Sequence, residues 1–369
     1  MNLTQMETTV NLVMNKLMNF EAPDIQELSK GPRKGGLFPH DLDMNVWDWT
    51  QGVGLYGLEK LQNYYGDRRY DGFLKDWFQD RINEGLPCAN INTTAPYLVL
   101  QALSDRTGNE TFGKLCTERA EWLMNGLPRT KENGFQHVVT ADKHHVTLNP
   151  QQIWADTLFM AVLFLAREGK REGKREWSEE AVHQILLHIK YLYDKKTRLL
   201  FHGWSFERMD NFGAVHWGRG NAWFSYGILE LIENLDGMID EGTRTFMLDT
   251  YVAQMEALRE LQAENGLWHT ILDDPDSYPE VSAAAGFCAA MYKGMRIGYL
   301  DRSFESCAER VLEGIAANVD PEGIVHNVSL GTTMGMDAEH YKNIALAPIG
   351  YGQSMTALAF IEAMEYVSR

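Results

Sequence analysis

The sequence predicts an all-α protein: six pairs of helices closed into a ring. Three observations carry that expectation. A short Gly-apolar phrase recurs six times along 369 residues. Each recurrence lies between an amphipathic helix and a helix rich in Gly, Ala and Ser, and no stretch alternates with period two for long enough to demand a substantial sheet.

The phrases are Gly36-Leu37-Phe38, Gly85-Leu86-Pro87, Gly134-Phe135-Gln136-His137, Leu199-Leu200-Phe201-His202-Gly203, Gly266-Leu267-Trp268-His269 and Gly323-Ile324-Val325-His326. The fourth lacks the leading glycine and the second is the poorest match. Before the first phrase, Val10, Leu12, Val13, Leu17 and Met18 line one face of an N-terminal helix. The later amphipathic helices are expected at 70–83, 111–125, 178–193, 243–263 and 303–317. The small-residue helices follow the phrases at 51–61, 95–103, 154–167, 220–235, 281–297 and 352–367. Asp, Asn, Gly and Pro punctuate the boundaries as caps and breakers do. Six such pairs can stack as a linear solenoid or close into a ring. A ring buries the small-residue helices inside and gathers all six phrase loops at one mouth. The polar and aromatic residues concentrate in those loops, which favours the ring, formed by one domain over 1–369.

Composition narrows the ligand. A formal charge of −17 and a pI near 5.1 argue against a nucleic-acid groove, while leaving room for a local Arg or His cluster that binds one carboxylate. Cys88, Cys116, Cys288 and Cys307 show no C-x-x-C spacing and read as buried thiols. No run approaches the roughly 20 apolar residues of a membrane span, and the first 20 residues lack a basic n-region, so the expected location is the cytoplasm. Nothing specifies an oligomeric state.

The candidate chemistry lies in the loops, at Trp47-Asp48-Trp49, Asn90-Ile91-Asn92, His144-His145, Trp154-Ala155-Asp156, His202-Gly203-Trp204 and the run from His216 to Trp223. This inventory suits a carbohydrate: flat rings stack on sugar faces, and Asn, Asp, His and Arg bond hydroxyls and carboxylates. Each residue also has a plainer reading. Asp156 can be a helix N-cap, although a carboxyl beside the Trp154 indole in a closed cleft is expected to have a raised pKa. Trp217 and Trp223 can be core, but the polar, flexible Gly218-Arg219-Gly220-Asn221 run between them is unlike core. Arg219 can be a surface charge, and its setting favours a carboxylate clamp at the mouth. His145 and His202 taken singly read as structural hydrogen-bonders. His144-His145 lacks a helically spaced third ligand, and Asp273, Asp274 and Asp276 lack the spacing of a calcium loop, so no metal is expected. No phosphate-binding glycine fingerprint is present.

At these positions the chain resembles the unsaturated rhamnogalacturonyl hydrolases of glycoside hydrolase family 105 over essentially its whole length. The motifs are Trp47-Asp48-Trp49-Thr50-Gln51-Gly52-Val53-Gly54, Trp154-Ala155-Asp156-Thr157-Leu158-Phe159-Met160, Trp217-Gly218-Arg219-Gly220-Asn221-Ala222-Trp223 and Pro348-Ile349-Gly350-Tyr351-Gly352-Gln353. The resemblance implies an (α/α)6 barrel without a cofactor. It also implies an unsaturated oligosaccharide substrate, from which a C4=C5 unsaturated galacturonyl unit left by a pectin lyase is removed. By the same resemblance Asp156 is the general acid and base. His202, Trp217, Arg219 and Trp223 contact substrate, joined by Trp47, Asp48, Asn92 and His145. Related glucuronyl hydrolases carry a second acid in the second-repeat loop, where this chain has Asn92, a departure that weakens a two-carboxylate scheme. The resemblance leaves an unsaturated glucuronyl hydrolase acting on other lyase products as an alternative, and the residues also fit an ordinary hydrolase or epimerase on the same barrel, or a non-catalytic carbohydrate or protein binder.

Overall fold

In the computed structural model, which describes residues 1–140 and 146–368, twelve long helices alternate between an outer and an inner layer. The outer helices are α1 (Leu3–Met18), α3 (Asp71–Glu84), α5 (Glu110–Asn125), α7 (Arg175–Leu192), α9 (Glu241–Glu260) and α11 (Glu305–Ala316). The inner ones are α2 (Trp49–Tyr65), α4 (Tyr97–Thr107), α6 (a π-helical turn, Leu158–Val162, continuing as Leu163–Glu172), α8 (Gly218–Asn234), α10 (Val281–Arg296) and α12 (Gly350–Val367). All twelve fall where the repeat places them. Local chemistry sets their ends. Asn2 and Gln5 form a capping box on α1, and Asn109 and Asp240 cap α5 and α9. Gly66, Gly108 and Gly173 end α2, α4 and α6 in the left-handed conformation that glycine tolerates best.

The inner helices touch in the order α2, α4, α6, α8, α10, α12, and α12 packs back on α2, so the ring closes. Small residues make the approach possible. A Cβ on Gly57 of α2 would meet Ser354 of α12 at 2.7 Å, and one on Gly286 of α10 would meet Ala222 of α8 at 2.6 Å. The outer α1 packs chiefly on α12, so the first helix of the chain completes the last pair.

At the C-terminal ends of the inner helices a buried charge network fills the ring. Glu230 of α8 takes Lys60 at 2.8 Å, Lys293 at 2.5 Å and the Tyr56 hydroxyl at 2.9 Å. These cations hold its carboxyl well below the usual range against the cost of burial. The N-terminal ends carry the phrase loops, and side-chain amides pin the loops to the helices. Gln51 donates to the carbonyls of His40 and Asp43; Asn221 exchanges two hydrogen bonds with the Leu200 backbone; Gln353 accepts from Val325 N–H and donates to Gly323 O. Strand structure among the described residues is confined to two-stranded pairs in these loops. No described helix is long and apolar enough to cross a membrane.

Candidate active site

A cavity of about 270 Å³ opens among the phrase loops. Its wall includes Trp49, Asn92, His137, Trp154, Asp156, Trp217 and Arg219, together with Phe38, His40, Asp41 and the stretch 331–333.

Asp156 is brought there by a short antiparallel pair in which Trp154 lies opposite Gly203, and Ala155 N–H donates to His202 O at 2.9 Å. This sets the carboxylate against the imidazole: Asp156 Oδ2 lies 3.3 Å from His202 Nε2. The two atoms are not aligned for a hydrogen bond, and neither has another partner. The Asp156 side chain is 15% exposed. No side-chain cap closes the helix start that follows it, which disfavours the N-cap reading. On the far side of His202, Nδ1 is 2.8 Å from the Tyr341 hydroxyl, which accepts from Gly335 N–H. The phenol proton has two acceptors in reach, Nδ1 and the weakly accepting Met334 Sδ at 3.8 Å, and when it goes to the stronger acceptor Nδ1 it leaves Nε2–H to face Asp156.

The electrostatics differ from the expectation of a raised Asp156 pKa. Burial does push the carboxyl up, but the contact with His202, the positive charge that His202 and His137 gain in the acid range where the carboxyl titrates, and the permanent charge of Arg219 outweigh it, and the group is held below its ordinary range. Trp154 does not set the balance. It stacks on His137 instead, with ring centres 4.1 Å apart and planes at 11°. His137 also bonds Thr157 Oγ1 at 2.9 Å, and burial drives its pKa down to about 3, so it is neutral at pH 7. His202 is lowered by burial as well, despite the pull of Asp156. The permanent positive charge in the group is then Arg219.

Arg219 sits in the floor rather than at the mouth, and its fork is not open to a ligand. Its two terminal nitrogens donate to Ser282 Oγ, Ser329 O, Leu330 O and Thr332 Oγ1 at 2.7–3.2 Å, and only Nε lacks a partner. Its guanidinium lies over Trp217 and Tyr351 at 4.6 and 5.0 Å. It is fully buried and His202 is 2% exposed, so both are structural as well as central. Trp49 and Trp217 line the cavity, whereas Trp223 lies behind, edge-on to Trp49 and tilted against Phe159. Trp47 lies in the core, where its indole donates to Thr93 O at 2.9 Å among Trp77, Phe78 and Tyr97. Asp48 caps α2 through Trp49 N–H, and burial together with the charge of Asp41 pushes it up to about 7. Asn92 reaches the wall; His144 and His145 lie outside the described residues. His40, Asp41, His137 and Tyr341 also belong to the site, although none stands in the motifs that mark the others. His137 stands inside the third phrase and was open to notice there. Among the described residues no three His, Cys, Asp or Glu side chains converge as a metal-ligand set.

A ring of six helix pairs with an acidic, tryptophan-lined cavity at the inner-helix N-termini defines a sugar-processing toroid. Residues 37–367 match Glycosyl Hydrolase Family 88, and the chain belongs to that family of glycoside hydrolases. The unsaturated rhamnogalacturonyl hydrolase YesR of Bacillus subtilis (strain 168) is 33% identical over 319 residues, covering 86% of this chain and 89% of that protein. An unsaturated 3S-rhamnoglycuronyl hydrolase of Alteromonas sp. (strain LOR) is 26% identical over 294 residues, covering 76% and 70%. A crystal structure of a possible GH105 family member from Salmonella enterica superposes with a TM-score of 0.90 at 37% identity, over 99% of this chain and 94% of that one. The unsaturated glucuronyl hydrolase from Bacillus sp. GL1 shares the fold, with a TM-score of 0.68 at 18% identity over 98% and 97%.

Proposed function

We propose that this enzyme removes the C4=C5 unsaturated galacturonyl unit from rhamnogalacturonan fragments produced by lyases, with Asp156 as proton donor. The observation that carries this reading is the Asp156 carboxylate, exposed to the cavity, free of capping duty and set against a neutral His202.

The substrate's double bond is part of a vinyl ether, so its C4 is nucleophilic. Asp156 gives its proton to C4, and the cation left at C5 is shared with the ring oxygen. Water adds to C5 and returns a proton to the Asp156 carboxylate. The C5 hemiketal opens to a ketone, which frees the old ring oxygen as a hydroxyl on C1. That hemiacetal collapses to an aldehyde and expels the neighbouring sugar. One carboxyl works twice, so the spacing rule for paired glycosidase carboxylates does not apply.

The depressed pKa of free Asp156 fits a proton taken up with the substrate. A bound uronate adds a negative charge and displaces water, and both favour the neutral acid. His202 Nε2–H then steadies the carboxylate formed after C4 is protonated. Trp49 and Trp217 offer stacking faces, Asn92 and His137 offer neutral hydrogen-bonding groups, and Arg219 supplies a fixed positive field from the floor.

The direct test is incubation with the lyase-generated disaccharide. Loss of the alkene's ultraviolet absorbance with release of rhamnose is expected. Persistence of that absorbance while a saturated disaccharide is cleaved or epimerised would overturn the reading.

A further inference from the structure

The cavity that Asp156 lines holds a second carboxylate that this mechanism does not use. Asp41 belongs to the four-residue helix Pro39–Leu42, which follows the first phrase and is tied down by Gln51 through the carbonyls of His40 and Asp43. Its side chain is 5% exposed and lines the cavity. Oδ1 lies 2.9 Å from His40 Nε2, an ion pair when that half-exposed imidazole is protonated, and Asp41 raises the His40 pKa; the two are not aligned for a hydrogen bond, and this buried oxygen has no hydrogen-bond partner. Oδ2 abuts the backbone at Gly331, where a Cβ would overlap it. No Lys or Arg among the described residues pairs with Asp41. Buried carboxylates are ordinarily satisfied, and leaving an acceptor bare is costly. This one abuts glycine backbone at one oxygen and the His40 imidazole at the other, and it borders the substrate space.

The ligand that satisfies such a group is a hydroxyl donor without negative charge. Two neighbouring sugar hydroxyls can each donate to one carboxylate oxygen. A sulfate or acyl ester removes the donor, and a sulfate also sets like charge against like. We propose that Asp41 is a specificity-determining residue that takes a free hydroxyl pair of the bound sugar and turns away a sulfate or acyl ester at that place. This rests on the reading of the cavity as a site for unsaturated oligosaccharides. The hydroxyl pair belongs either to the unsaturated ring or to its neighbour, and the test separates the two.

The test uses three unsaturated disaccharides with the same linkage: unsubstituted, sulfated on the unsaturated ring, and sulfated on the neighbouring ring. Wild type, Asp41→Asn and Gly331→Ala are compared by kcat/KM. Binding is measured by calorimetry on each protein carrying Asp156→Asn. Wild type is expected to prefer the unsubstituted compound over one sulfated compound by about 100-fold or more, because a site built for a hydroxyl leaves its acceptor unpaired when the hydroxyl is absent. Asp41→Asn should shrink that ratio by about tenfold or more, chiefly through KM, by removing the repelling charge. Gly331→Ala should shrink it too, since the added methyl displaces the carboxylate without altering its charge. The ring whose sulfation matters identifies the hydroxyl pair. Wild type that treats the three compounds alike, or ratios unchanged in both variants at unchanged Tm, would overturn the proposal. If no compound is cleaved, the hydrolytic reading fails by itself. Calorimetric discrimination that is lost with Asp41 would still support the proposal, and binding without discrimination would end it.

Discussion

Replacing His137 by Gln tests the electrostatics of the site through stability. The imidazole is 2% exposed, stacked on Trp154 and bonded to Thr157, and its pKa falls from 6.5 to about 3, mainly through burial. In the unfolded chain the same group takes a proton near pH 6.5. Between those values the unfolded state holds the extra proton, so the stability contributed by neutral His137 is complete above pH 6.5 and erodes as pH falls toward 3. Integrated from pH 7 to pH 5, the loss is about 2 kcal/mol. Gln keeps hydrogen-bonding capacity but cannot titrate, so the variant escapes this term while sharing every other. Urea unfolding of both proteins at pH 7 and pH 5 should therefore show wild type losing about 2 kcal/mol more than the variant. A wild-type-minus-variant difference that stays constant to within about 0.5 kcal/mol would refute a buried, neutral His137.

Four further outcomes follow from the geometry. Asp156→Asn should lower turnover by about 10²–10⁴-fold, with Tm close to wild type because Oδ2 carries no hydrogen bond; a marked loss of Tm would assign Asp156 a structural role. Arg219→Met removes the donors to Ser329 O and Leu330 O and should cost about 3–5 kcal/mol. For a chain of this length that is a Tm drop of about 4–6 °C, and unchanged melting would contradict the strut described above. Because Asp156 must be protonated to act yet is held low in the free enzyme, kcat/KM should decline with rising pH at lower pH than kcat does; coincident limbs would show that substrate does not raise the group. A thio-linked unsaturated disaccharide should be turned over, since hydration leaves the linking atom a spectator until the hemiketal opens, while the saturated oxygen-linked compound stays intact. The opposite pair of results would make Asp156 an ordinary glycosidase acid.

The ring was legible because its cause is local and repeated: phrase glycines, small-residue helices and caps recur at each turn. The site was legible only in part, because its residues owe their roles to partners distant in sequence. Arg219 reads as a clamp between glycines, yet its fork is consumed by carbonyls 110 and 111 residues away. Asn221 reads as polarity foreign to a core, yet it pins the Leu200 backbone. Trp47 and Trp49 stand two residues apart, one facing the core and the other the cavity, and nothing in their identity distinguishes them. Asp41 and His40 look like ordinary loop polarity until the stretch around Gly331 is set against them. Asp156 stood out through its motif, but the sign of its pKa shift depended on two imidazoles that composition does not place.

The docking of α1 on α12 has a consequence for how the chain folds. Gln353 donates to the Val13 carbonyl at 3.1 Å across 340 residues of sequence. During synthesis α1 precedes the other eleven helices, and its principal partner is the last of the twelve. Val10, Val13, Met14 and Leu17 must wait uncovered until then. Closing a flexible loop of that length costs about 5 kcal/mol beyond the constant term, which the earlier pairs reduce by assembling in order. Helix pairs from α2 onward can form next to their sequence neighbours, so the seam between α12 and α1 is where assembly ends. A circular permutant beginning at α2 and ending with α1 makes that seam a local contact, and it should reach the closed ring faster than the natural order does.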